Sequence, residues 1–312
     1  VRSSGKAFGV GLALLGGAGV ALQSRINGEL AGRVGSGFLA AVISFGTGLV
    51  IMAIATAVTP NARRGLGKVA ALLRKGGLRW WECVGGAAGA FLVASQGITV
   101  GSLGVAVFIV SLVGGQSVSS LFVDRAGLAP GGPRPITPNR AIGTVLTVVA
   151  VPIAVAGHLG TPAALGLAVL PLLAGFGSAW QQAMNGRVRQ AGEGVVATTF
   201  INFLVGTVAL IIAFLISMIF KGAPTGSLPS EPWLYLGGTL GIIFIAIAAA
   251  LVRHIGVLLL GLGMIAGQVI GAVLLDLILP VDNKPGIATY IGAGLTLVAV
   301  WIAALPRKTP TP

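Results

Sequence analysis

Residues 23–28 read Gln23-x-x-x-Asn27-Gly28, and 158 positions later the chain reads Gln181-x-x-x-Asn185-Gly186. At the same offset Phe45 falls on Phe203 and Gly48 on Gly206. Further on the offset becomes 152, and Trp81, Gly85, Gly86 and Gly89 match Trp233, Gly237, Gly238 and Gly241. Gly104 then matches Gly256, Gly115-Gln116 matches Gly267-Gln268, and Asp124 matches Asp276. A last stretch agrees at 149, through Ile142-Gly143 with Ile291-Gly292 and Leu146-Thr147 with Leu295-Thr296. Rare Trp, Gln and Asp residues do not hold a constant shift by chance, so the chain is an internal duplication.

What is duplicated follows from composition. Of the 312 residues, 55% are apolar and only 9% charged, against about 25% charged in soluble domains. Too few polar groups are present to cover a water-facing surface. Glycine, at 50 residues, is about twice its usual share, as suits helices packed closely in lipid. A crossing helix needs roughly 20 apolar residues. Ten such runs are found, at 7–27, 38–58, 80–100, 104–123, 140–158, 164–184, 196–219, 233–251, 256–279 and 287–305. They exceed the length of barrel strands, so the predicted fold is an all-α integral membrane protein. Each repeat, 1–158 and 159–312, holds five spans. An odd number returns the chain on the opposite side, so the second copy is inverted. Two inverted five-helix repeats are a common transporter architecture, with the substrate site near the midplane.

The net charge of +13 suggests nucleic acid until the charges are placed: they lie in short runs between apolar stretches, as topology signals do. With a cytoplasmic N-terminus, sixteen of the twenty lysines and arginines lie inside, and only Arg25, Arg33, Lys221 and Lys284 lie outside. Both termini are therefore expected to be cytoplasmic. The first apolar run follows Arg2 and Lys6 as a signal peptide would, yet further long runs come after it, so it is read as a retained span. Cys83 is the single cysteine, which excludes an intrachain disulfide.

The Gln-x-x-x-Asn-Gly segment, the Phe45/Gly48 segment, the Trp-x-x-x-Gly-Gly-x-x-Gly entry to span three and Gly-Gln-x7-Asp in span four together carry a resemblance. The chain resembles the YdcZ-like bacterial inner-membrane proteins of the drug/metabolite transporter superfamily, over nearly its whole length and twice over. The resemblance implies a small-molecule carrier, often an exporter, in the bacterial inner membrane, and leaves the cargo open. Small multidrug-resistance pumps of the same superfamily use a membrane-embedded glutamate. Here Glu29, Glu82, Asp124, Glu193, Glu231, Asp276 and Asp282 all fall at span ends or in loops, so coupling through one central carboxylate is disfavoured.

Polar side chains within lipid are costly and mark functional candidates. Gln116 and Gln268 sit near the middle of their spans, as substrate or gating contacts or as interhelical glue. Gln23 with Asn27, and Gln181 with Asn185, share helix faces. With the inverted topology, Gln23, Asn27 and Asp276 would gather outside and Gln181, Asn185 and Asp124 inside, as gates opening alternately. Arg25 is a possible partner of Asp276, and the alternative for each aspartate is solvation at a helix end. Trp180 and Phe91 are candidates to stack on cargo; Trp80, Trp81 and Trp233 are expected as interfacial anchors. Asn202 and its counterpart Ser44 are polar within spans, as functional or packing residues.

No HExxH, GxSxG or paired intraspan aspartates suggest an enzyme. His158 and His254, at span ends, make no metal site with Cys83, and no cofactor is expected. The first reading is thus a secondary transporter of a small molecule, working by alternating access in the lipid bilayer; coupling to a proton or ion stays open, and the duplication makes a monomer plausible. The second reading is a lipid or amphiphile flippase, and the third a scaffold without flux.

Overall fold

The computed structural model describes residues 2–156, 162–279 and 285–305, without the side chains at 2–6, 162–165, 249, 252–254 and 256–259. His158, Asp282, Lys284, Arg307, Lys308 and the 158/159 junction lie outside the described residues, as do the side chains of Arg2, Lys6, Arg253 and His254. Among the described residues there are nine α-helices: α1 (Arg2–Val34), α2 (Gly37–Val58), α3 (Pro60–Arg74), α4 (Gly85–Arg125), α5 (Pro138–Val155), α6 (Pro162–Gly192), α7 (Val195–Lys221), α8 (Gly237–Ile278) and α9 (Ile287–Ala304).

Two of these are double. α4, at 41 residues, would extend about 60 Å if straight, twice the apolar thickness of a bilayer. It folds back at Gly104, whose φ of 77° and ψ of 165° are open to glycine and strained for other residues. In consequence Trp81 packs in the same cluster as Val123, and Gly89 lines the same cavity as Gln116. α8, at 42 residues, brings Gly241 and Gln268 to that cavity in the same manner. With α3 lying outside the count, eight helices make ten crossings. Among the described residues, seven segments qualify as spans by length and apolarity alone, α4 entering once.

The sequence-based limits need correction at several ends. α1 runs to Val34 and α6 to Gly192, so the Gln-x-x-x-Asn pairs lie inside helices and do not terminate them. Buried hydrogen-bond partners let these polar turns stay helical where hydropathy falls. The connection expected at 59–79 contains α3, which starts with Pro60 after Thr59 and buries Ala62, Gly65 and Val69 while leaving Arg63, Arg64 and Lys68 at its surface. Gly65 faces the Gly192 carbonyl, and Lys68 pairs with Glu193, so α3 straps the turn between α6 and α7.

The two repeats interlock. A Cβ at Gly17 in α1 would strike the Met264 carbonyl of α8; its counterpart Gly175 in α6 meets the Leu112 carbonyl of α4 in the same way. Gly267 against Leu14 is likewise mirrored by Gly115 against Leu172, and Gly292 against Ala150 by Gly143 against Ala299. Each repeat therefore packs its first span on the fourth span of the other, backbone to backbone, as small residues permit. Phe45 and Phe203 meet at the centre with ring centroids 5.0 Å apart, each over the other repeat's glycine, Gly206 and Gly48. That reciprocity places the pseudo-twofold axis between α2 and α7.

Candidate functional site

Between the repeats lies a cavity of about 330 Å³, reached by α1, α2, α4, α6, α7 and α8. Of the residues singled out from the sequence, Gln23, Gln116, Gln181, Asn185, Asn202 and Gln268 line it. Its apolar walls include Phe45, Phe203 and Phe244, and Ser117, Ser120 and Ser178 add hydroxyls. Every described residue of the lining is uncharged.

The polar groups are tied into two networks, one toward each end. At the end that carries α3, Gln181 Nε2 and Asn185 Nδ2 both donate to Asn202 Oδ1, at 2.8 and 3.0 Å. At the opposite end, Gln23 Nε2 donates to the Gly237 carbonyl at 2.9 Å. There Asn27 Nδ2 donates to Gln96 Oε1 at 2.6 Å, and Gln96 Nε2 donates to Ser24 Oγ at 2.9 Å. Asn202, a functional or packing candidate in the sequence, thus joins the two side chains, and Gln96 carries no repeat signal because its counterpart, Ala248, is apolar. Sequence reasoning also passed over the two phenylalanines at the axis as part of the chemistry; their constant offset was the available signal.

The other candidates lie elsewhere. Asn27 is fully buried in the network behind Gln23 and does not line the cavity. Trp180 packs with Val123, Ala183 and Met184 near the α3 end and is not part of the lining. Phe91 is partly exposed on the outside of the bundle. Neither aspartate reaches the cavity. Asp124 accepts from Arg140 Nη2 at 2.6 Å. Asp276 accepts from the backbone N–H groups of Val105 and Ala106, at 3.0 and 2.6 Å, across the fold-back of α4. That arrangement caps the second arm of α4, whose first amides have no partner within the helix. Of the expected anchors, Trp80 is exposed, Trp233 is partly so, and Trp81 is half-buried under the Arg79 guanidinium, 5.8 Å from its ring.

Several polar repeat counterparts differ in burial. Gln23, Asn27, Gln268 and Asp276 are 8%, 0%, 3% and 3% exposed. Their counterparts Gln181, Asn185, Gln116 and Asp124 are all partly accessible. Ser24, Val269 and Ala272 are buried, whereas the counterparts Gln182, Ser117 and Ser120 line the cavity. The counterparts toward the α3 end are the more accessible ones.

Comparison with known proteins bears on this architecture. Residues 8–153 and 166–302 match the family described as "Putative inner membrane exporter, YdcZ". The chain belongs to the DMT YdcZ family. Two matched segments in one chain make it a tandem YdcZ protein, a multi-pass membrane protein of a transporter family. No curated protein sequence matches the chain. A solved structure described as "Crystal structure of protein" is 17% identical, with 97% of each chain covered and a TM-score of 0.56; at that identity the likeness speaks for the fold alone. Among the described residues of this YdcZ-family chain, no group of three or more His, Cys, Asp or Glu could hold a metal ion.

Proposed function

We propose that the chain exports a small molecule by alternating access, the two repeats exchanging conformations about the axis between Phe45 and Phe203. One observation carries this reading: polar counterparts are buried toward one end and partly accessible toward the other. In an inverted pair, exchanging the conformations of the repeats converts one access state into the other. The α3 end, with Arg63, Arg64, Lys68, Arg74, Lys75 and Arg79, is assigned to the cytoplasm by the positive-inside rule. The described state is then open inward, ready to load cargo for export, with both termini cytoplasmic.

Cysteine accessibility tests the cycle. In a Cys83→Ser background, Gln182→Cys is expected to react with a membrane-impermeant maleimide from the cytoplasmic side. Ser24→Cys is expected to react from the opposite side in a smaller fraction of molecules. Complete silence of Ser24→Cys from outside, in a folded protein, would remove alternating access.

A flippase for a lipid or amphiphile is the second reading, and one feature favours it. An apolar groove of about 530 Å³, lined by residues including Phe8, Leu15, Ala18, Gly267, Gly271 and Leu274, lies on the flank of α1 and α8. Gly267 adjoins Gln268 of the cavity. The counterparts of Ala18 and Leu274 are Phe176 and Phe122, whose rings pack 6.4 Å apart, so large side chains occupy the equivalent place in the other repeat. A fluorescent lipid that is transported, and that polar small molecules fail to displace, would decide for the flippase.

A further inference from the structure

We infer that the outward face of α3 is a docking surface for the headgroups of anionic phospholipids. The inference stands apart from the transport reading and concerns a helix that one repeat has and the other lacks. Between its second and third spans the first repeat carries residues 59–79, with α3 among them. The equivalent connection in the second repeat is the shorter run 222–231, which contains no helix. The packing of the spans therefore does without such a helix at the other end, and the purpose of α3 lies elsewhere.

Charge comes first. α3 turns Ala62, Gly65 and Val69 toward the protein and leaves Arg63, Arg64, Lys68, Arg74 and, just past its end, Lys75 exposed. Arg64 and Lys75 stand three helical turns apart on one side of that face, Arg63 and Arg74 on the other, in rows about 16 Å long. Among the described residues Arg64, Arg74 and Lys75 have no ion-pair partner, while Glu193 is taken by Lys68 and Glu82 by Arg187. Depth is the second observation. Val58, just before the helix, is 72% exposed, and Trp80, shortly after it, is 74% exposed. Val58 closes an apolar span, and tryptophan settles at membrane interfaces, so both ends of α3 lie at headgroup level. There a row of basic side chains attracts anionic lipid. A soluble acidic protein would meet the same charge without an apolar anchor, since Gly67, Ala70 and Ala71 are what lies exposed between the cations. Attachment is the third. Gly65 faces the Gly192 carbonyl, and Lys68 pairs with Glu193 in the turn before α7. Glu193 has a φ of 51°, a left-handed conformation that side chains disfavour; its counterpart in the first repeat is Gly35, at 69°. The carboxylate kept there at a conformational cost holds α3 to the bundle, with the basic face turned away from the protein.

Lipid retention tests the surface. The full chain in a neutral detergent is offered phosphatidylglycerol and phosphatidylcholine with the same acyl chains, and bound lipid is counted by native mass spectrometry. The wild type is expected to retain phosphatidylglycerol in preference. The combined variant Arg64→Gln, Arg74→Gln and Lys75→Gln is expected to bind that lipid at least about tenfold more weakly, with phosphatidylcholine unchanged, because each basic residue near an anionic surface adds to the attraction. If that variant is not recovered folded, Arg64→Gln with Lys75→Gln is expected to lose roughly fivefold. Lys221→Gln, at the far end of α7, is expected to bind as the wild type does. Equal retention of the two lipids by the wild type overturns the proposal, as does undiminished phosphatidylglycerol on the α3 variants or an equal loss in Lys221→Gln. Release of the lipid by millimolar inorganic phosphate would assign the surface to free anions and overturn the lipid. Tighter binding of a polyglutamate peptide, dependent on the same three side chains, would assign it to an acidic protein and overturn the lipid as well.

Discussion

At the residue scale, Asp276 does for α4 what an N-cap does for an ordinary helix, from a helix 170 residues distant in sequence. The fold-back at Gly104 leaves the amides of Val105 and Ala106 without intrahelical acceptors, and the carboxylate takes both. Asp276→Leu is therefore expected to lower stability by about 3 kcal/mol, since a buried amide without a partner costs roughly 1–3 kcal/mol. Asp276→Asn, which still offers one oxygen, is expected to lose less. Melting in detergent, followed by fluorescence-detected gel filtration, checks both; unchanged melting of the leucine variant would mean that the amides find another acceptor. The sequence singled out Gln23, Gln116, Gln181, Asn185 and Gln268 because a carboxamide in lipid needs a reason to be there, and the fold brings all five to one cavity. It could not say which polar group answers which. Asn27 finds Gln96, and Asp276 finds two backbone amides; these partners come from remote elements that no local pattern announces.

At the scale of elements, ten crossings and their inversion were legible from apolar run lengths and from the offsets of 158, 152 and 149. Helix ends and α3 were less so. α3 mixes basic and small residues with few large apolar ones, so its helical face reads as a charged connection. The glycines that bring spans into backbone contact separate from those that do not. Gly115→Val and Gly267→Val would press side chains into the Leu172 and Leu14 carbonyls of neighbouring helices. Both are expected to abolish recovery of monodisperse protein. Gly19→Ala and Gly294→Ala meet nothing within 4 Å and are expected to be neutral, or stabilising by up to about 1 kcal/mol. A Gly267→Val protein that melts as wild type would show that α1 and α8 separate at little cost.

On the scale of the whole molecule, the two matched segments, 8–153 and 166–302, are two units in sequence and one in packing. The first span of each is seated on the fourth of the other. Produced alone, either half is expected to aggregate. Produced together, the halves are expected to co-purify in equal amounts and to restore the labelling pattern of the full chain. A monodisperse, protease-resistant half would contradict that dependence.

The interlocking also sets a timetable for biogenesis. Gly17 of α1 has its backbone partner at Met264, almost at the other end of the chain. Translation at about 5–20 residues per second puts an interval on the order of ten seconds or more between their syntheses. Through that interval the glycine-bearing stripe of α1 must stay shielded by lipid, the insertion machinery or a temporary neighbour. Correct assembly is thus decided late, when the last third of the polypeptide enters the bilayer and claims a place kept for it since the start.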